Sequence, residues 1–269
     1  MQDLHFVSED YAKRKSKDCR LSISIRRDGF SFLITHKRSI EAYAYTTVAE
    51  NQRNTAFKDF LSQEILQDRF AAVTIIIVTP LFTCVPKKLY DDSMWEDYSE
   101  LNFEHTGNES VITYESINSD VVVLFPIETE LWALCRSAFK DQDVVSYVPQ
   151  VAPMLEANLQ SRAEKVSVFV EQSFLTIVYT AKKSLRFCNA FEFRNVNDFT
   201  FYLMNAMKQL DIDPMQVHVE LSGKISEKSS YFSAIQMFVK NVNVVENTTK
   251  LNNFPYMLFY NHCNIALCE

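Results

Sequence analysis

The sequence predicts an α/β protein with mixed (α+β) sheets, built from two copies of a β-β-β-α-β-α-type unit. Three observations predict it. Period-two alternation opens each half of the chain, an amphipathic helical stripe follows the third strand in each, and a β-branched or apolar strand comes next. Matching landmarks (Leu21 and Val166, Phe57 and Phe199, Val73 and Val217) recur at intervals of roughly 142 to 145 residues.

In the first copy, Leu21, Ile23 and Ile25 alternate with Ser22, Ser24 and Arg26, the period of a half-buried strand. Asp28-Gly29 reads as a tight type I′ hairpin turn, and Gly29 to Thr35 returns with Phe30, Phe32 and Ile34 on one face. Ile40 to Thr46 is a third strand. From Asn54, a plausible N-cap, the period becomes helical through Phe57, Phe60, Leu61 and Ile65, and Ala72 to Val78 follows as a strand covered on both faces.

The second copy repeats this order. Val166, Val168 and Val170 alternate, Phe174 to Thr180 returns, Lys182-Lys183 turns the chain, and Leu185 to Phe191 is the third strand. Asn195 caps a helix carrying Phe199, Tyr202, Leu203, Ala206, Met207 and Leu210, and Val217 to Leu221 is the next strand. Between the copies the pattern predicts a hairpin over Val111–Tyr114 and Val121–Phe125, then helices over Glu128–Phe139 and Gln150–Arg162. We place a domain boundary near Ser161 to Glu164, giving domains 1–162 and 163–269. The apolar tail, Pro255 to Glu269, is expected to pack back on the body.

Composition narrows the function. A net charge of −7 works against nucleic acid, and the one basic cluster near a terminus, Lys13 to Lys17, is diluted by acids. The longest apolar run, Ala71 to Val85, is broken at Pro80 and falls short of the ~20 residues of a membrane span. The start is polar, without the apolar core of a secretion signal, and six scattered cysteines suit a reducing cytoplasm. Only three glycines occur, Gly29, Gly107 and Gly223, where a chain of this length usually carries roughly 7%. Backbone cradles for phosphate depend on glycine, so there are few places to build one.

The repeated unit resembles the actin-like ATPase superfamily, of ribonuclease H-like architecture. Among its members the chain looks most like small bacterial forms such as the pilus-assembly protein PilM and the cytoplasmic part of the type II secretion L protein. Leu81-Phe82-Thr83-Cys84-Val85-Pro86 with Leu89-Tyr90-Asp91-Asp92, Leu185-Arg186-Phe187-Cys188-Asn189, Asp198 to Leu203 and Cys268-Glu269 are similar to stretches of an uncharacterised bacterial family with this fold. The resemblance implies an ATP site between two hairpins bearing Asp and Gly, one per domain, and a Gly-rich turn for the adenosine.

Here the first hairpin reads Arg26-Arg27-Asp28-Gly29-Phe30, and the second, Glu171-Gln172-Ser173-Phe174, has neither Asp nor Gly. Ser222-Gly223-Lys224 stands where the adenosine turn would be. The leading expectation is therefore a non-catalytic interaction or scaffold protein with no cofactor, binding a protein or peptide partner as PilM-like proteins do. The alternative is a divergent ATP-binding protein using Asp28, Gly29, Ser222, Gly223 and Lys224. A hydrolase assembled from scattered residues is the third class, with no Gly-x-Ser-x-Gly elbow to support it. His262-Cys263 with Cys268 could be read as soft metal ligands, but the spacing is not that of a zinc knuckle, so no metal site is expected. The acidic run Asp91 to Glu100 reads as a solvated helix face.

Overall fold

The fold is taken from a computed structural model, which describes residues 4–9, 11, 16–37, 39–49, 52–103, 107–160, 162–245 and 260–262. Most of the Lys13–Lys17 cluster, His105, Ser161, Cys263, Cys268 and nearly all of the tail lie outside these residues.

The first sheet begins with β1 (Leu4–Val7), β2 (Arg20–Arg26), β3 (Gly29–His36) and β4 (Ser39–Thr47), followed by the helix α1 (Arg53–Leu61) and β5 (Ala72–Ile77). A smaller unit comes next: β6 (Thr83–Pro86), α2 (Trp95–Glu100), β7 (Glu109–Glu115), β8 (Val121–Glu128) and α3 (Thr129–Ala138). The chain then returns to the first sheet with β9 (Val145–Pro149), so that its order is β1-β4-β3-β2-β5-β9. β6, β8 and β7 form a separate three-stranded antiparallel sheet.

After α4 (Ala152–Gln160), the second half lays down β10 (Lys165–Val170), β11 (Phe174–Ala181), β12 (Ser184–Glu192), α5 (Val196–Gln209), β13 (His218–Gly223), α6 (Ser230–Gln236) and β14 (Asn241–Val244). Its sheet order, β12-β11-β10-β13-β14, matches β4-β3-β2-β5-β9 strand for strand. In both, the first strand pairs antiparallel with the second and parallel with the one after the helix. The duplication legible in the sequence is therefore present in topology and register.

Each sheet covers one face with its own helix. Phe57 and Phe60 of α1 pack on Phe30 and Phe32, with Phe30 and Phe57 rings 4.6 Å apart. Burying a side chain of this size contributes roughly 1.5–3 kcal/mol. Phe199, Leu203 and Met207 of α5 pack in the same way on Val166, Val168 and Leu175. Asn195 caps α5, its side chain accepting from the amides of Asn197 and Asp198.

The polar alternates on β2 depart from expectation. Ser22, Ser24 and Arg26 are buried rather than solvated, because the second half of the chain and residues 260–262 lie over that face. The strand is half-polar but wholly covered. Two further expectations change locally. The residue before α1 is Gln52, not Asn54, whose side chain instead donates to Glu130, and Ile65 falls in a separate 3₁₀ turn after the helix ends. The β2–β3 hairpin turns on Arg27 and Asp28, neither in the left-handed region, so it is not a type I′ Asp-Gly turn. By contrast Lys182 and Lys183, at φ 54° and 60°, form the β11–β12 turn with left-handed backbone and no glycine.

α4 lies between the halves, against β10, β11 and β12. Its Glu156, fully buried, accepts from the hydroxyls of Tyr114 and Ser116, the amides of Ile117 and Asn118, and the Asn118 side chain, all within 3.0 Å. These five donors attach the three-stranded sheet to the centre of the molecule.

Gly29 has φ +153°, and a Cβ built there would sit 2.0 Å from the Thr46 carbonyl oxygen. Gly29→Ala is expected to destabilise the chain by at least about 2 kcal/mol, read as a shift of the urea midpoint at unchanged slope.

Candidate functional site

Three chain reversals meet between the two sheets. They are the β2–β3 tip at Arg27–Asp28, the β10–β11 tip at Glu171–Gln172–Ser173, and the end of β13 at Ser222–Gly223–Lys224. Duplication places them together, since β2 and β10 are equivalent strands and β13 runs parallel beside β10, pairing Gly223 with Val170.

Charged side chains from these tips form one alternating chain. Arg26 Nε donates to Glu171 Oε1 at 3.2 Å, Lys224 Nζ pairs with Glu171 Oε2 at 3.1 Å, and the same ammonium reaches Asp28 Oδ2 at 2.5 Å. Arg26 and Glu171 are 3% and 6% exposed, so each would be costly to leave unpaired. The Arg26 guanidinium also donates to Ser31 Oγ at 2.9 Å and lies over the Tyr45 ring, 5.7 Å from its centroid. Arg53 donates to the Arg26 carbonyl and pairs with Glu128. Burial alone would lower the Lys224 pKa, but the carboxylates of Glu171 and Asp28 outweigh it and hold the ammonium above its ordinary value.

Behind this chain sits His262. Its Nδ1 lies 2.7 Å from Ser22 Oγ and its Nε2 2.9 Å from Ser31 Oγ. Ser22 also faces the Leu33 carbonyl and Ser31 also accepts from Arg26, so the two hydroxyls engage both ring nitrogens whichever of them carries the proton. Burial first, and the Arg26 charge second, hold the ring's pKa well below 6.5. Both nitrogens are engaged, so the ring has no lone pair left for a metal. Ser31 is fully buried, which removes it as a nucleophile for any substrate.

The five residues read as a possible nucleotide site divide. Asp28 and Lys224 are brought together, but onto each other. The space at Gly29 is filled by the Thr46 carbonyl. Gly223, at φ +85°, is filled likewise: a Cβ there would lie 2.3 Å from the Val170 carbonyl oxygen and 2.9 Å from the Phe169 ring. The Lys224 amide donates to that same Val170 carbonyl at 2.7 Å, and buried Ser222 faces the Val168 carbonyl. Sequence reasoning missed Arg26, Glu171, Ser31 and the bonding of His262. The available signal was an arginine and a glutamate closing equivalent strands, opposite charges at matched positions of a repeat.

Beside the ionic chain a cavity of about 450 Å³ opens between the halves, within the size range of ligand pockets. Ile77, Leu81, Ile127 and Phe174 line it, with Arg27, Arg53, Glu109, Glu128 and Glu192 among its charged groups.

A family model described as a protein of unknown function, DUF3822, matches residues 8–242. The chain belongs to the DUF3822 family. No curated protein sequence matches it. Among solved structures, this DUF3822 member is similar to a Bacteroides thetaiotaomicron protein with an actin-like ATPase fold and unknown function, at TM-score 0.82 and 21% identity over 97% of this chain and 100% of that one. It is also similar to the PilM-PilN type IV pilus biogenesis complex, at TM-score 0.60 and 9% identity over 95% and 100% of the two chains. A third likeness is to the ethanolamine utilization protein EutJ from Carboxydothermus hydrogenoformans, at 0.54 and 8% over 93% and 90%. The fold is thus that of the actin-like ATPases, and no helix among the described residues is long and apolar enough to cross a membrane.

Two outcomes follow from the site. Glu171→Gln leaves Arg26 buried without its counter-charge and is expected to cost about 3–5 kcal/mol, measured by chemical unfolding. Because the folded pKa of His262 lies below the unfolded value of 6.5, its contribution to stability is complete above that pH and is lost as pH falls towards the folded value. Stability should drop by up to about 1.4 kcal/mol per pH unit below 6.5, and a folded His262→Gln variant should show a flatter profile between pH 7.5 and 5.5.

Proposed function

We propose that this chain is a non-catalytic interaction protein on an actin-like fold, and that its cleft receives a segment of a protein partner rather than ATP. One observation carries the reading: the three chain reversals are cross-linked by their own charges, Arg26–Glu171–Lys224–Asp28. Phosphoryl transfer requires cations, amides and a metal-bearing carboxylate aimed at phosphate. Here two cations and two carboxylates neutralise one another, and the glycines that would admit a phosphate face their own backbone. The neighbouring cavity combines an apolar floor with charged edges, which suits an extended peptide. The PilM-PilN complex, of similar fold, supports the class of function by analogy.

The second reading is a weak ATP site in which Lys224 releases Asp28 and Glu171 to meet phosphate. It draws on the convergence of Asp28 and Lys224 at 2.5 Å between the halves. Thermal melting with Mg-ATP separates the two. A ligand at 100 times its Kd adds about 2.7 kcal/mol of stability, so an unchanged Tm at millimolar Mg-ATP is the expected result, and a dose-dependent rise would favour the second reading.

Leu81, at the cavity and 40% exposed, offers the complementary test. Leu81→Asp should leave the Tm within about 2 °C of the parent while abolishing co-purification of the partner, and that co-purification should be indifferent to added nucleotide.

A further inference from the structure

A second cavity, of about 680 Å³, lies away from the cleft, where the segment after β6, the β7–β8 loop and the β11–β12 turn come together. Lys87, Lys88 and Lys183 line it, with Asn118, Ser119 and Asp120. Lys87 is held in place, donating to the Ser116 carbonyl at 3.0 Å and pairing with Glu115 at 2.9 Å. Lys88 and Lys183 have no ion pair among the described residues and are exposed. The Ser119 hydroxyl is buried and finds no hydrogen-bond partner there either.

The turn that brings Lys183 to this cavity is built against local preference. Lys182 and Lys183 both hold left-handed backbone, φ 54° and 60°, in a two-residue hairpin loop where Asn-Gly is the unstrained solution. Strained backbone that persists where a simple residue change would relieve it points to a job for the side chains. The same chain carries a net charge of −7, so Lys88 and Lys183, two cations left without ion pairs among the described residues once Glu115 takes Lys87, stand out from their background. Asp120 is the one acid in the lining, and it sets a threshold: a ligand bearing a single negative charge gains little, whereas several charges in one small group outweigh it.

We propose that this cavity binds an oligophosphate, the pyrophosphate or triphosphate portion of a soluble small molecule, held by Lys88 and Lys183 with Lys87 behind them. Lysines act on phosphate as point charges, which suits an open pocket better than the fixed fork of an arginine. The site is separate from the cleft and does not depend on what the cleft receives.

Calorimetric titration of the full chain with inorganic tripolyphosphate at low ionic strength tests this. Saturable one-site binding is expected, weakened about tenfold or more in K88Q/K183Q, with affinity unchanged in Lys224→Gln. K182N/K183G supplies a readout that a structural role alone would not give: relief of strain should raise its Tm while binding weakens. The absence of saturable heat at millimolar ligand would overturn the proposal. So would an unchanged affinity in K88Q/K183Q or K182N/K183G, or a loss confined to Lys224→Gln, which would move the site to the cleft.

Discussion

The Arg26–Glu171 pair is the constraint around which the centre of this molecule is arranged. Two charges almost out of reach of water are tolerated only when each finds the other and the remaining donors and acceptors are met. Arg26 therefore draws in Ser31 and the face of Tyr45, Glu171 draws in Lys224, and Lys224 draws in Asp28. The pair joins equivalent positions of the two repeats. A fold that brings two hairpins face to face has here placed opposite charges on them, so the hairpins bind each other.

Glycine economy follows the same logic. With only three in the chain, two are committed to places where one strand passes within touching distance of another, at Gly29 under Thr46 and at Gly223 beside Val170. Both positions resemble remnants of phosphate loops when read as sequence. In three dimensions the space left by their missing side chains is already filled, by the Thr46 carbonyl at Gly29 and by the Val170 carbonyl and the Phe169 ring at Gly223.

Much of the fold was legible because burial imposes period: the helical stripes on α1 and α5 followed from one buried face in each, and the alternation on β2 and β10 from one apolar row packed under those helices, although both faces of the two strands are covered. β9 and β14 were not legible, because short parallel edge strands carry little pattern of their own and are defined by the partner they join. The serines of β2 were misjudged as solvent-facing, since a polar alternate reads the same whether water or a buried histidine lies opposite. The site was harder still. Glu171 and His262 meet Arg26 and Ser31 across 145 and 231 residues of sequence, and no spacing rule encodes such a meeting.

The alternating order of the four charges has a mechanical consequence. Arg26 and Asp28 come from the first half and Glu171 and Lys224 from the second, so separating the halves breaks two contacts together, Arg26–Glu171 and Lys224–Asp28, and leaves buried Arg26 without its counter-charge while Glu171 and Lys224 stay paired. Hinge opening, the motion by which two-lobed proteins usually admit and release cargo, would have to break both of these contacts at once. Whatever docks between the lobes must meet a body already clasped shut.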